Sequence, residues 1–585
     1  MISRVQSIVR TFRRLCRRWR MLTLRKLLYL PRILSGTEKR LLLLFILMAL
    51  ASGTILATRS YVRLTYPVAQ KGGSYTEGIL GSLQTINPIY ASQDPDRDLS
   101  RLVFSGLLYY DGAGHIQPDL AERWEISPNG KVYTVILRDG LVWHDGRQLS
   151  AEDVVFTISR IQNPQFKSPL RLNWQGVQVE VLDPRTIKFT LRTPYAPFIE
   201  NLTQGIIPKH LWEAVEPARA LLHELNLRPI GSGPYQVKTF KSESDGTLTS
   251  YTLVLNPRYH RESPYIKTIT FKFFSTEEEM LSSKRRGDTD GFGPISSLRA
   301  KEFSQDDVQV LAPATPRIFS VFLNQRQSPI LGDKKVRAAI ARALDKDRIA
   351  SETATGGAIA VSTLLPPLGA PGAGQTHPYS PERARAFLKE AGWKDENGDG
   401  IYEKKIKDKK KTELVPLELR LATGNSPELL RAAGLIKDML AEIWVQIIIE
   451  PHSFDELESS VIRPRNFQLL LFGQVYGYEP DPFAFWHSSQ IKDPGLNIAF
   501  FTNKQADRVL EEARRTTDPS KRAAKYAEFN RIAAEELPAI PLYTQLYLYL
   551  LPRDVQGVSL SKISVPADRL NEINRWYRET KRVLR

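Results

Sequence analysis

A chain of 585 residues with 42% hydrophobic and 25% charged residues holds enough apolar material for two or three cores, which excludes a disordered chain or a small disulfide-stapled module. Its net charge of +17 is concentrated at the start: residues 1–40 carry twelve Lys/Arg against one acid, Glu38, leaving +6 for the rest. The single cysteine, Cys16, also lies there, so a disulfide framework, a cysteine-held metal and a cysteine nucleophile are excluded for everything that follows.

Next comes LLLLFILMALASGTILA, residues 41–57, uncharged and bracketed by Lys39, Arg40 and Arg59. This length reaches the lower end of what crosses a bilayer, and the cations ahead of it predict a cytoplasmic N-terminus. The expected plan is a basic cytoplasmic segment 1–40, a transmembrane anchor 41–58 and a linker 59–71. Ala49-Leu50-Ala51 also has the small-x-small form of a signal-peptidase site, so a cleaved signal stays open, although a basic region of forty residues is long for one. Cations beside such a span read as attraction to anionic lipid headgroups rather than to nucleic acid.

Beyond the linker, short strands and helices alternate. KVYTVILRDG (131–140) and TIKFTL (186–191) alternate apolar and polar residues and read as strands. Asp333, Ser380 and Ser426 stand as N-caps before three runs with helical spacing, and the last of these continues into the β-branched VQIIIE. The pattern is that of an α/β body. Residues 365–378 form a Pro- and Gly-rich surface loop, Lys404 to Lys411 a solvated hairpin edge, and the basic tail within 568–585 reads as a partner helix or a surface helix.

LVWHDGRQLSAEDVVFTI (141–158) places His144 beside Asp145 and Glu152 beside Asp153, which invites an active-site reading. Asp145-Gly146 is better read as a tight turn, and Ser150 with Asp153 as a capping box at the start of a helix. The H-E-x-x-H, phosphate-loop and G-x-S-x-G patterns are absent, and Ser559-Leu-Ser-Lys562 lacks its companion motifs. DENGDG (395–400) offers Asp395, Asn397 and Asp399 as in a calcium loop. With Ile406 where the bidentate Glu belongs and Glu403 earlier, it reads as an Asx-rich turn.

Several segments together resemble the bacterial extracellular solute-binding proteins of family 5, the peptide- and nickel-type receptors of ABC importers. They run in the family's order: GGSYTEGILGSLQTINPIYA (72–91), residues 102–157 including LVWHDGRQLSAEDVVFT, IIPKHLW (206–212), PIGSGPYQV (229–237), LNPRYH (255–260), KKVRAAIARALDKDRI (334–349), YSPERARAFLKEAGW (379–393) and ELPAIPLY (536–543). The resemblance implies a two-lobed, venus-flytrap α/β fold: domain I from 72–104, 208–316 and 540–585, domain II from 105–207 and domain III from 317–539. It implies capture of a peptide or similar small solute by hinge closure and delivery to ABC permease subunits with their ATPases, as a monomer, without catalysis, cofactor or resident metal. The binding body would stand on the extracytoplasmic face of the membrane. An exported hydrolase, or a sensory or chaperone-like receptor using the same cleft, are the alternatives.

The resemblance also implies a pocket. Its early loop would supply Ser82, Gln84, Thr85 and Asn87, domain II Trp174, and the segment FGQVYGYEPDPFAFWHSS (472–489) Gln474, Tyr476, Tyr478 and Glu479. The family's peptide binders hold the ligand's α-amine with an aspartate a few residues before the Asp-Pro pair. Here that pair is Asp481-Pro482 and Gly477 or Tyr478 stands at the place of the acid, with Glu479 the nearest candidate to replace it.

Overall fold

The computed structural model describes residues 34–303, 308–354, 357–366, 377–408 and 411–585. Cys16 with most of the basic segment, the centre of the Pro- and Gly-rich loop, and residues 409–410 of the lysine run lie outside them. The described chain divides into two bodies, one of residues up to Gln70 with Thr580–Arg585, the other Lys71–Glu579.

In the first body, Ser35 and Glu38 form a capping box, with the Ser35 N–H donating to Glu38 Oε2 at 2.9 Å, and the helix Gly36–Leu64 follows. Its 29 residues span about 43 Å. None of its side chains is buried. It ends where β-favouring Thr65–Gln70 pairs with the C-terminal strand Glu579–Leu584. Arg582 closes the helix end: its guanidinium donates to the carbonyls of Val62 and Thr65, both at 3.0 Å, supplying charge and donors where helix carbonyls lack partners. The tail is therefore not the helix its sequence suggested. Pro566 and packing break it into two 3-10 turns, Pro566–Leu570 and Ile573–Arg575, because burying Ile573 and Trp576, the latter edge-on to Tyr75, outweighs local helix preference.

The second body is built on three main sheets. The first has seven strands in the order Val308–Leu311, Tyr549–Pro552, Gly291–Phe292, Ser74–Leu80, Thr268–Phe274, Leu248–Leu255, Tyr235–Ser242. Ser74–Leu80 runs parallel to Thr268–Phe274 and to Gly291–Phe292, and the remaining pairings are antiparallel. The second is antiparallel throughout, in the order Ala121–Ile126, Val132–Leu137, Thr186–Thr190, Gln178–Asp183, and is contacted by the helix Ala151–Gln162. The third has six strands in the order Ala358–Ala360, Ala539–Leu546, Ala314–Leu323, Leu469–Val475, Glu418–Gly424, Gln446–His452.

Ala314–Leu323 sits mid-sheet and is apolar on both faces, as a strand covered on both sides must be. Phe319, Val321 and Leu323 enter one core with Val336 and Ile340 of the helix Lys334–Ala343, while Ile318 and Phe322 enter another with Trp486 and Phe529. A separate core joins the first two sheets. The predicted caps hold: Asp333 accepts from Lys335 N–H at 2.9 Å, Ser380 from Arg383 at 3.2 Å and Ser426 from Leu429 at 3.4 Å. The lysine-rich run forms the hairpin Glu403–Asp408 with Lys411–Pro416.

Two chain crossings link the first and second sheets side by side, with Ile206 N–H donating to Ser105 O at 3.0 Å. Gly106 is required there, since a Cβ would stand 2.6 Å from the carbonyl oxygen of Thr203. Next to this crossing, the HDG turn and the PIGSGPY segment interlock. Gly146 takes φ +89°. Buried His144 accepts from Gly231 N–H on Nδ1 (3.1 Å), which leaves Nε2 to donate to Gly233 O (3.2 Å). A Cβ on Gly231 would overlap the carbonyl of Val103, so the glycine is dictated by that approach.

Burial pushes His144 down to about 4, against the opposing pull of the Gly233 carbonyl and Asp145. The unfolded chain takes up this proton below about pH 6.5 and the folded chain only near 4, so stability is expected to fall as pH drops through that window, by up to about 1.4 kcal/mol per unit. Thermal melts of wild type and His144→Gln between pH 7 and 4 check this. The variant should show a shallower acid slope, and equal slopes would sink the assignment.

Candidate functional site

Leu469–Val475 runs parallel to Glu418–Gly424, and both end at the same side of the third sheet, the usual place for ligands in sheets of this kind. The segment beyond Val475 turns inward. Tyr476 is buried, donates to Gln474 Oε1 at 3.1 Å and accepts from the Trp486 indole N–H at 3.1 Å. Burial raises its phenol well above the usual value, so it stays neutral and works as a hydrogen-bonding post. Trp486, fully enclosed, is core, and Phe485 lies edge-on to Tyr476 at 5.1 Å.

Tyr478 is the meeting point of the three sheets' segments. Its ring stacks on Tyr110 at 4.0 Å, its hydroxyl donates to Lys562 O at 3.2 Å, and its N–H donates to Glu200 Oε1 at 3.1 Å. Glu200 lies on the 3-10 turn Ala196–Thr203. A Cβ on Gly477 would stand 2.7 and 2.8 Å from its two oxygens, so the space beside the missing acid is filled by a carboxylate from a different segment. Burial pushes Glu200 up to about 7, aided by Glu479 and Asp568 and opposed by the Tyr478 N–H and Lys562.

Glu479 itself is paired with Arg522 at 2.5 Å, and Asp481 with Arg514 at 2.6 Å. Both acids of YEPDP are thereby committed to the two helices behind them, Lys504–Arg515 and Pro519–Glu536.

Glu200 lines a cavity of about 340 Å³, together with Pro88, Arg101, Trp174, Arg261 and Asn571 among others. Trp174 also packs into the core, edge-on to Phe198 at 5.6 Å. Of the early loop, Ser82 and Gln84 are exposed and bonded to each other at 2.9 Å, and Asp96 holds the loop through the N–H groups of Gln84 (2.8 Å) and Thr85 (3.1 Å). Asn87 is buried and donates to Asn226 at 3.1 Å. The cavity wall takes Pro88 and Ala91 from this loop, and none of Ser82, Gln84, Thr85 or Asn87. A second, more apolar cavity of about 530 Å³ opens at the ends of the parallel strands, lined by Gly424, Phe472, Val475 and Tyr543 among others. Gln474, Tyr476, Tyr478 and Glu479 line neither cavity.

Sequence reasoning missed Glu200. The only local signal for it was a lone acid in the apolar run PFIENL. The former active-site candidate is structural: Asp145 pairs with His210 at 2.9 Å, and Asp153 accepts the N–H groups of Ser150 and Lys209, both at 2.9 Å. In the DENGDG loop, Asp395 and Asn397 accept backbone N–H groups of Gly398, Asp399 and Gly400, an Asx-type turn. Asp395, Asp399 and Glu403 each bring one oxygen within 4.8 Å of the others.

Known proteins match this chain along most of its length. The oligopeptide-binding protein AppA of Bacillus subtilis is 26% identical over 552 residues, 92% of this chain and 97% of that protein. Its structure in complex with a nonapeptide superposes with a TM-score of 0.63, covering 87% of this chain and 99% of that one. NikZ from Campylobacter jejuni, solved with Ni(L-His), is 26% identical with a TM-score of 0.65 over 86% of this chain and 99% of its own. The ABC transporter substrate-binding protein CtaP of Listeria monocytogenes, also 26% identical, reaches 0.72 over 87% of this chain and 100% of its own. The family model of the bacterial extracellular solute-binding proteins, family 5 (middle part), matches residues 115–494. With that match over more than half the chain and a mixed α/β fold shared with these receptors, the protein belongs to the bacterial extracellular solute-binding proteins of family 5.

Proposed function

We propose that this protein captures oligopeptides or similar small solutes by closing its lobes and hands them to the permease of an ABC importer, without transforming them. The observation that carries the reading is the junction at Tyr478, where the loop after a third-sheet strand meets Glu200 and Tyr110 from the second-sheet side and Lys562 from the tail, beside the 340 Å³ cavity. Closure of this kind buries a solute and creates a surface that a permease reads. The peptide class is supported by the relatives above; Trp174 would meet the solute in the 340 Å³ cavity, with Gln474, Tyr476 and Tyr478 buried behind the junction rather than lining it. The full-length protein in detergent, mixed with randomised tripeptides, should melt at higher temperature, with about 2.7 kcal/mol of stabilisation at a hundredfold excess over Kd. No shift with any tripeptide mixture, or hydrolysis of the bound peptide seen by mass spectrometry, would overturn it.

The lobes would follow the three sheets: 72–104 and 208–316 with the tail as domain I, 105–207 as domain II and 317–539 as domain III. The pairing of Ala539–Leu546 with Ala314–Leu323 supports moving the last boundary from 540 to just after Leu546.

The helix Gly36–Leu64 would be a retained single-pass anchor, with the basic segment cytoplasmic and the binding body, a monomer, on the other face. Its length and exposed apolar surface support this, as does the Arg582 clamp, which ties the helix end to the chain's own C-terminus. A mature chain beginning at Ser52 in intact-mass spectra would refute retention.

A further inference from the structure

We propose that the outer end of the helix Gly36–Leu64 and the C-terminal strand Glu579–Leu584 together form a cationic collar that binds the phosphate groups of anionic phospholipids, in the leaflet where the helix leaves the membrane on the extracytoplasmic side. This rests on the retained-anchor reading above and names what the outer end of the anchor holds.

Five cations gather there. Arg59 and Arg63 stand four residues apart, so they lie one turn from each other on one face of the helix, and both are exposed. Lys581, Arg582 and Arg585 come from the opposite end of the chain, because Thr65–Gln70 pairs with Glu579–Leu584. Arg582 is fixed against the helix end by its bonds to the carbonyls of Val62 and Thr65, with Nε donating to Thr65 Oγ1 at 2.8 Å. Arg585 is held beside it, its backbone N–H donating to Leu64 O at 2.9 Å. Acids do not answer these charges: residues 39–70 and 580–585 contain no Asp or Glu, and Glu38, the one acid of this body, caps the other end of the helix. The nearest acid along the chain is Glu579, one carboxylate against five cations.

Depth supports a lipid partner. The uncharged run ends at Ala57, and at 1.5 Å per residue Arg59 stands about 3 Å and Arg63 about 9 Å beyond it. A headgroup layer is about 5–8 Å thick on each side, the difference between a hydrocarbon core of about 30 Å and a full thickness of about 40–45 Å, so both guanidiniums are within reach of the phosphates. Apolar side chains stand among the cations. Tyr61 and Tyr66 are exposed, one before and one after the helix end, the Arg582 guanidinium lies 5.8 Å from the Tyr61 ring, and Leu584 is 76% exposed. Tyrosines are favoured at this level of a membrane, and a leucine so exposed finds apolar surroundings there that water does not offer.

The collar exists only while the two strands are paired. If Thr65–Gln70 and Glu579–Leu584 separate, Lys581, Arg582 and Arg585 leave the helix end, and two of the five cations remain. Lipid phosphates bound by all five thus stabilise the pairing, since a ligand of one state disfavours the other. Each Lys or Arg near an anionic membrane surface contributes about a fivefold gain in affinity. An anionic leaflet therefore tightens this ribbon, and a zwitterionic one does not.

Hydrogen exchange of the full-length protein in lipid nanodiscs tests this, comparing discs of phosphatidylcholine alone with discs of phosphatidylcholine and phosphatidylglycerol in equal parts. Amides of residues 65–70 and 579–585 should exchange at least about threefold more slowly in the anionic discs, while those of the helix Ala151–Gln162 stay unchanged as the internal reference. The triple variant Arg59→Gln, Arg63→Gln, Lys581→Gln, which leaves the Arg582 bonds in place, should lose most of the difference. Replacing Arg13, Arg14, Arg17 and Arg18 of the cytoplasmic segment by Gln should keep it, and inorganic phosphate added to the phosphatidylcholine discs should not reproduce it. If the triple variant does not fold, the two disc compositions and the phosphate control on the unaltered protein still decide. Equal exchange in both discs, a difference kept by the triple variant, a difference lost with the N-terminal arginines, or protection by inorganic phosphate alone overturns the collar while leaving the anchor in place. Failure of the protein to enter either disc overturns both.

Discussion

Replacing Arg569 by leucine is expected to destabilise the folded protein by about 3–5 kcal/mol, the usual cost of stripping one partner from a buried charge cluster. Its guanidinium is fully enclosed. It reaches Glu77 Oε1 at 2.9 Å, Asp98 Oδ2 at 2.5 Å and Oδ1 at 2.8 Å, and the Pro566 carbonyl at 2.8 Å. Glu77 also accepts from the hydroxyls of Tyr75 at 2.5 Å and Tyr549 at 2.8 Å. One cation thus joins the strand Ser74–Leu80, the helix Asp94–Val103 and the turn Pro566–Leu570.

Two acids against one arginine leave the cluster one charge short. Burial outweighs the guanidinium at Asp98 and pushes it up to about 6. Without Arg569 two carboxylates would have to take up protons or remain uncompensated in the interior. The expected drop in melting temperature is on the order of 4 °C, because a body of about 500 residues has a large unfolding entropy. The triple variant Arg569→Leu, Glu77→Gln, Asp98→Asn should recover much of it, because the cost lies in the stranded charges. A single variant melting within about 1 °C of wild type would contradict this account.

Trp486→Ala should also cost about 3–5 kcal/mol, by removing a large fully buried side chain whose cavity cannot close. Its ring stacks on Phe322 at 6.0 Å and meets Phe501 and Phe529 at 6.4 and 6.2 Å. The indole N–H also holds Tyr476, which in turn holds Gln474, so the lost ring loosens the segment that leads to Tyr478. Trp486→Phe separates the two effects. It keeps most of the apolar volume and drops one hydrogen bond, which should cost about 0.5–1.5 kcal/mol in stability. Denaturant midpoints read the first effect and tripeptide affinity the second. Trp486→Phe binding tripeptides as wild type does would remove the positioning role.

Much of this fold was legible in local sequence. The caps at Asp333, Ser380 and Ser426, the capping box at Ser150 and Asp153, and the turn at Gly146 act within a few residues, and the structure uses each where its pattern stood. The alternation of 131–140 and 186–191 became two paired strands, since a period of two has one physical solution once a face must be buried. Local preference misled in the tail, where pairing with Thr65–Gln70 and burial of Trp576 overrode a helical reading.

The ligand site was legible only in outline. The segment around YGYEPDP was visible as a loop that had lost an acid. Glu479, adjacent in sequence, proved to be held by Arg522, and the carboxylate beside Gly477 came from Glu200, 278 residues before its partner Tyr478. By itself the sequence determined the α/β elements, their start signals and the apolar helix near the N-terminus, because those rest on interactions along one stretch of chain. Which acid is left without a cation, and which cations gather at the end of the helix, only the tertiary structure decided. Both depend on which distant segments the fold brings together and what their charges already hold.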